Sequence, residues 1–165
     1  MINAARANNI PELKRLVATG TDINSKDDEG ITALICAAQQ GRVEVAQYLV
    51  GAGADLNTAR GDGKTALMFA AMNGHVEVAQ YLVGAGADLA AKDKEGKTAL
   101  MFAARRGHIE VAQYLVGAGA DLAAKDNYGT TALMFAAICG HIDVARYLVG
   151  AGAAVGAARP DGMTA

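Results

Sequence analysis

The stretch TALMFAAMNGHVEVAQYLVGAGADL, running from Thr65 to Leu89, returns with few changes at Thr98 and Thr131, each copy 33 residues after the last. A weaker copy begins at Thr32, and a new one opens at Thr164. A period of about 20 to 50 residues marks a solenoid, in which each unit buries its apolar face against its neighbours and no single closed core need exist. The constant positions are then packing, and function is to be sought where the copies differ.

Local signals divide the period. Thr65 can cap a helix with its hydroxyl, Ala66 to Asn73 is helix-compatible throughout, and Gly74 supplies a left-handed stop. His75 opens a second helix in which Val78, Ala79, Leu82 and Val83 share one face, with Glu77 and Gln80 towards water. Gly84 and Gly86 end it. The polar segment that follows closes at Gly96 before the next cap, Thr98, and reads as a turn reaching away from the helices. Each unit is thus helix, turn, helix, and a hairpin-like finger.

The units frame as 28–60, 61–93, 94–126 and 127–159, with an N-terminal capping pair of helices in 1–27 and the truncated start of a further unit in 160–165. In the N-terminal pair, expected at Ile2 to Asn8 and Pro11 to Ala18, the residues Asn3, Arg6, Asn8, Asn9, Lys14 and Arg15 give the polar outer surface that a terminal repeat presents to water. At the other end the pattern decays after Gly152. The expectation is either a fragment of a longer protein or an uncapped end that self-associates, with the fragment preferred.

Composition narrows the class. Hydrophobic residues make up 52% of the chain but aromatics only 5%, with no Trp, so the interior must be built mainly from Ala, Leu, Val and Met. The formal net charge of −2 gives no overall pull towards nucleic acid or anionic membrane, so any basic patch must be local. Cys36 and Cys139 stand 103 residues apart in different units, which argues against a disulfide between them. With no basic n-region and no long apolar run, neither a leader nor a membrane span is expected, and the expected location is intracellular, in the cytoplasm. A secretion route needing no cleaved leader stays open.

The residues G-x-T-A-L-x-x-A-A-x-x-G-H-x-x-V-A-x-Y-L-V-x-x-G-A-D resemble the ankyrin repeat, whose usual form is G-x-T-P-L-H-x-A-A-x-x-G-H. The resemblance covers nearly the whole chain. It implies an all-α fold, an ankyrin-repeat solenoid of helix-turn-helix units joined by β-hairpin-like fingers. Two departures recur: the family's Pro is Ala33, Ala66, Ala99 and Ala132, and its His is Ile35, Met68, Met101 and Met134. The first forfeits about 0.4 to 1 kcal/mol per repeat of unfolded-state entropy. The second exchanges the family's hydrogen-bonding side chain for apolar contact.

Several chemical readings fail on spacing. His75, His108 and His141 occupy equivalent positions in stacked units, about 8 to 10 Å apart, too far to share one zinc, and a role in opening the second helix is expected. GDGKT at Gly61 to Thr65 and EGKT at Glu95 to Thr98 lack the first glycine of a phosphate loop, since Thr58 and Ala91 stand there. Arg60-Gly61-Asp62 spells RGD at a finger tip, which coincidence explains. Cys36 and Cys139 have no catalytic base in any recognisable motif. Asn24 and Asn57 match a finger asparagine that is hydroxylated in some ankyrin proteins, or they stabilise the turn. No catalytic residue, metal or cofactor is expected.

The second and third units differ at Gly61/Lys94, Asp62/Glu95, Met72/Arg105, Asn73/Arg106 and Val76/Ile109. Up to Gly152, the third and fourth differ at Lys94/Asn127, Glu95/Tyr128, Lys97/Thr130, Arg105/Ile138 and Arg106/Cys139, and on the second helix at Glu110/Asp143 and Gln113/Arg146. Most changes lie at the finger tip or at the end of the first helix. By the ankyrin resemblance these line the concave face through which partners usually bind; neutral drift is the competing explanation. The implied protein-binding residues are Asp28, Glu29, Gln39, Gln40, Asp62, Lys64, Met72, Asn73, Lys94, Glu95, Lys97, Arg105, Arg106, Tyr128, Ile138 and Cys139, with Arg105, Arg106, Tyr128 and Ile138 as anchors.

The expected function is a non-catalytic module that binds another protein, of unknown identity. Alternatives are a passive scaffold segment of a larger protein, or weak binding of an anionic ligand or nucleic acid by Lys64, Lys94, Lys97, Arg105 and Arg106. Nucleic acid is disfavoured by the near-neutral chain.

Overall fold

Five helix pairs follow one another along the chain: α1 (Ile2–Arg6) with α2 (Ile10–Ala18), α3 (Ala33–Gln39) with α4 (Val43–Gly51), α5 (Ala66–Asn73) with α6 (Val76–Gly84), α7 (Ala99–Arg106) with α8 (Ile109–Gly117), and α9 (Ala132–Ile138) with α10 (Ile142–Gly150). The structure is a computed structural model that describes residues 1–157 together with 162 and 164. The last two residues of the fourth unit and most of the truncated start at 160–165 lie outside the described residues. No β-strand forms among the described residues, so the chain is an all-α repeat solenoid.

The threonine before α3, α5, α7 and α9 has extended backbone angles. Thr32 Oγ1 accepts from Ile35 N at 3.2 Å and Thr131 Oγ1 from Met134 N at 3.3 Å, which satisfies one orphan donor of the first turn. At Thr98 a methionine takes part: its N–H points at the Met101 sulfur, 3.5 Å away. This corrects the expectation of purely apolar contact, because a thioether is a weak acceptor. The second helices run one residue further than expected, through Gly84, and the left-handed turn falls on Gly86 at φ +100°. Helix α2 begins at Ile10, one residue before Pro11, because Asn9 caps it by accepting from Glu12 N at 3.0 Å.

Two rows of helices make the core. The first helices bury small side chains, with Ala37, Ala70, Ala71, Ala103, Ala104 and Ala136 fully enclosed. Each second helix buries a Val, an Ala and a Leu in its middle repeats, such as Val78, Ala79 and Leu82. Adjacent first helices pack against one another more extensively than adjacent second helices do. The small alanine side chains let the first helices approach one another closely.

Polar ties of several kinds join successive repeats. The Nε2 atoms of His75, His108 and His141 lie 3.1, 3.1 and 3.0 Å from the carbonyl oxygens of Gln39, Met72 and Arg105, at the end of the preceding first helix. The hydroxyls of Tyr81, Tyr114 and Tyr147 donate to the carbonyls of Gln47, Gln80 and Gln113 at 3.3 to 3.4 Å. Asn24 and Asn57 accept from the N–H groups of Asp55 and Asp88 in the next unit, at 2.9 and 3.1 Å. Finger to finger, Lys94 N donates to Asp62 O at 3.0 Å and Asn127 N to Glu95 O at 2.9 Å. Gly96 is obligatory at this contact: its φ is +79°, and a Cβ there would stand 2.8 Å from Asn127 N.

Candidate protein-binding face

Each finger is one tight turn built around its first residue. In three of them that residue is an aspartate: Asp27, Asp93 and Asp126 each accept, through Oδ1, from the backbone N–H groups two and four residues later, at 2.8 to 3.1 Å. The second finger begins with Arg60 instead. There Asp62 does the neutralising, pairing with Arg60 and with Lys64, whose Nζ lies 2.7 Å away. The Arg60 guanidinium beside it holds the Asp62 carboxyl well below the usual carboxylate range. The two charged members of the RGD string are therefore spent on each other.

The finger cations also cover the aromatic ring of the next first helix. Arg60 lies 5.0 Å above Phe69, Lys64 5.6 Å above Phe102 and Lys97 5.8 Å above Phe135, all within cation–π range. Lys64 also approaches Asp93 at 3.6 Å, whose Oδ2 is buried without a hydrogen-bond partner. Thus the lysine that a phosphate-loop reading would need is held by two carboxylates and a ring.

The residues expected to bind a partner do not all reach solvent. Asp28, Glu29, Gln39, Asn73, Lys94, Glu95, Arg105, Arg106, Tyr128, Ile138 and Cys139 are exposed, and Gln40, Asp62, Lys64 and Met72 are half-buried. Lys97 is only 7% exposed: its amine lies over the Phe135 ring and pairs with Glu95, whose carboxyl it holds below the usual range. Lys97 is accordingly a scaffold residue, which corrects its place among surface cations. Ile31 and Thr130, at the same position in other units, are buried as well. With Lys64 and Lys97 engaged, Lys94, Arg105 and Arg106 remain without a carboxylate partner among the described residues.

Arg105, Tyr128, Ile138 and Cys139 come together. With Lys97, Asp126, Thr130 and Phe135 they line one groove of about 330 Å³ between the fourth finger and the ends of α7 and α9. Phe135 joins them although it is not among the expected binding residues: it is half-buried where Phe69 and Phe102 are buried, and Arg105 and Lys97 both lie over its ring. Its repeat position marks it as packing, and the signal that sets it apart from its two copies is its place in the fourth unit, where the repeat pattern decays after Gly152. Other hollows, around Gly41 with His75 and Gly107 with His141, repeat with the inter-repeat tie and belong to the scaffold.

Remaining chemistry is committed elsewhere. The three histidine rings are tied to carbonyls, and no group of residues among those described could hold a metal ion. Both cysteines are free thiols, and burial pushes the Cys36 thiol up, away from the reactive thiolate. No helix among the described residues is long and apolar enough to cross a membrane.

A stack of paired helices with an alanine row, projecting turns and a groove on the finger side defines a repeat scaffold. A family model described as ankyrin repeats, in three copies, matches residues 1–93 and again 86–158. The chain belongs to the ankyrin-repeat family, whose members are generally protein–protein interaction modules and generally non-catalytic. No curated protein matches the sequence.

Proposed function

We propose that the chain is a non-catalytic module that binds a partner protein through its concave face, with the fingers and first-helix ends of the third and fourth units as the contact region. The observation that carries this reading is the co-location of Arg105, Tyr128 and Ile138 around one groove, at positions where the repeats differ. Arginine and tyrosine are the side chains most enriched among residues that dominate binding energy. Tyr128 is 58% exposed and Ile138 57%, a cost in water that a partner would relieve. Their equivalents in the interior repeats, Glu95 and Arg105, are also exposed, so this exposure belongs to the position in the repeat. Two free thiols suit a reducing, intracellular compartment.

The test is affinity capture from the native source with the wild-type chain and with an Arg105→Ala/Arg106→Ala/Tyr128→Ala variant of equal helicity. A protein captured by the first and lost with the second supports the reading. Equal capture by both rejects the face.

A further inference from the structure

We infer that the groove between the fourth finger and the ends of α7 and α9 takes an extended peptide segment in which an aspartate or glutamate stands beside a large apolar side chain. This deepens the proposed function and rests on it, by naming the chemistry of the partner.

The electrostatic half of the argument is an imbalance. At this groove the acids are occupied and the cations are not. Glu95 is paired with Lys97, and Asp126 is buried with Oδ1 accepting from Tyr128 N at 2.9 Å and Thr130 N at 2.8 Å. Arg105 makes no salt bridge among the described residues, although its charge reaches the Glu95 carboxyl that Lys97 holds; its guanidinium rests 6.0 Å from the Phe135 centroid, and its neighbours Arg106 and Lys94 are exposed and make no salt bridge among the described residues either. A guanidinium that makes no salt bridge has donors to offer, and its fork fits a carboxylate with two parallel hydrogen bonds.

The apolar half is peculiar to this repeat. Tyr128 stands where the earlier fingers carry Glu29, Asp62 and Glu95, and Ile138 where the earlier helices carry Gln39, Met72 and Arg105. Only here do both positions become large and apolar, facing the half-exposed Phe135 ring. A purely anionic ligand such as a phosphate backbone leaves this wall unused, and three free cations are few for one.

Size selects the shape of the occupant. The groove holds about 330 Å³, near the lower end of ligand pockets, which is room for one or two side chains. A helix about 10 Å across cannot enter whole, so only side chains projecting from the partner's backbone reach the Phe135 ring. That matters because the chain itself exposes an apolar–acidic pair, Ile142 and Asp143, on α10. Adjacent on one helix, these two side chains point about 100° apart and cannot both enter the groove, whereas an extended segment can present an acid and an apolar side chain on one face.

The experiment selects a displayed library of random short peptides on the wild-type chain. The peptides are then measured against Arg105→Glu, Tyr128→Ala and Arg105→Lys, each checked for unchanged helicity and melting. The expected result is enrichment of sequences pairing an acid with Leu, Ile, Phe or Tyr, with a loss of about tenfold or more in both Arg105→Glu and Tyr128→Ala. Peptides with the acid changed to Lys should bind Arg105→Glu better than wild type. Arg105→Lys, which keeps the charge and loses the fork, should fall between.

Enrichment of acids alone, with Tyr128→Ala neutral and binding lost steeply with salt, overturns the inference in favour of a simple anion patch. Selected peptides that ignore all three variants overturn it too. So does sedimentation showing the free chain to be a dimer that Tyr128→Ala dissociates. If the library yields no binder while a folded protein is still captured through the concave face, the inference fails and the proposed function stands. If neither peptide nor protein binds there, both fail.

Discussion

The Nε2 atom of His108 sits 3.1 Å from the carbonyl oxygen of Met72, one repeat earlier. A carbonyl can only accept, so Nε2 carries a proton and donates across the repeat boundary. The same ring closes over Gly74, where a Cβ would stand 2.7 Å from Nδ1 and the backbone has φ +74°. The glycine of one unit and the histidine of the next therefore form a lock between units: the glycine makes room for the ring that ties its helix end down. His108→Ala should destabilise by about 1 kcal/mol, the loss of one partly shielded hydrogen bond. Gly74→Ala should cost more, through the clash and the left-handed strain. In the double variant the clash is gone, so the two losses should sum to less than their total. Urea titration of the four proteins checks the coupling, and strict additivity would refute the lock.

Asn24 and Asn57 each accept from a backbone N–H in the following unit, whereas Ala90 at the equivalent place offers Asp121 no such acceptor. Ala90→Asn should restore the bridge and raise stability by about 0.5 kcal/mol, the low end for an exposed hydrogen bond. A rise in melting temperature checks it. Asn57→Ala should lower it by a similar amount.

Asp62 links stability to pH. Its hydrogen bonds from Arg60 and Lys64 make the folded carboxyl hold a proton less tightly than in the unfolded chain. Its contribution is therefore full above the unfolded carboxylate value of about 4 and is lost as pH falls towards the lower folded value. With a third of its surface in water, the contribution is modest, below about 1 kcal/mol. Asp62→Asn should lower stability at neutral pH and flatten the acid limb between about pH 4 and 2. An acid limb as steep as wild type would assign the pH dependence to other carboxylates.

Lys97 carries a packing role that its charge conceals. Lys97→Ala should cost about 1 kcal/mol by uncovering Phe135 and releasing Glu95. Lys97→Met, which keeps an apolar stem at that position, should cost less. Thermal denaturation of both variants decides whether stem or charge matters more.

Most of the fold could be read from the sequence, because a repeat states its own packing: the capping threonines, the glycine stops and the alanine row appear three times over, and the structure forms a helix at each. The site was less legible. Lys64 and Lys97 read as surface cations, since charge and a variable position look alike in sequence whether the amine meets water or crosses a neighbouring ring. Phe135 stands at a packing position of the repeat, so it was not counted among the binding residues. Both outcomes depend on how one finger overlies the next helix, which is a tertiary relation with no local pattern. His75 and its copies read as helix openers, yet their inter-repeat bond to a carbonyl, 36 residues back, is visible only in three dimensions.

The central claim is that a partner protein is held at Arg105, Tyr128 and Ile138 on the concave face. Its most direct test is titration calorimetry of a purified captured partner against wild type, Arg105→Ala, Tyr128→Ala, and a second-helix control, Glu77→Ala/Glu110→Ala, whose positions are exposed on α6 and α8. The first two should each weaken binding by more than about 1 kcal/mol with melting unchanged, while the control binds as wild type does. Unaltered affinity in Arg105→Ala and Tyr128→Ala, with a loss in the control, would contradict the account and move the binding surface to the other side of the stack.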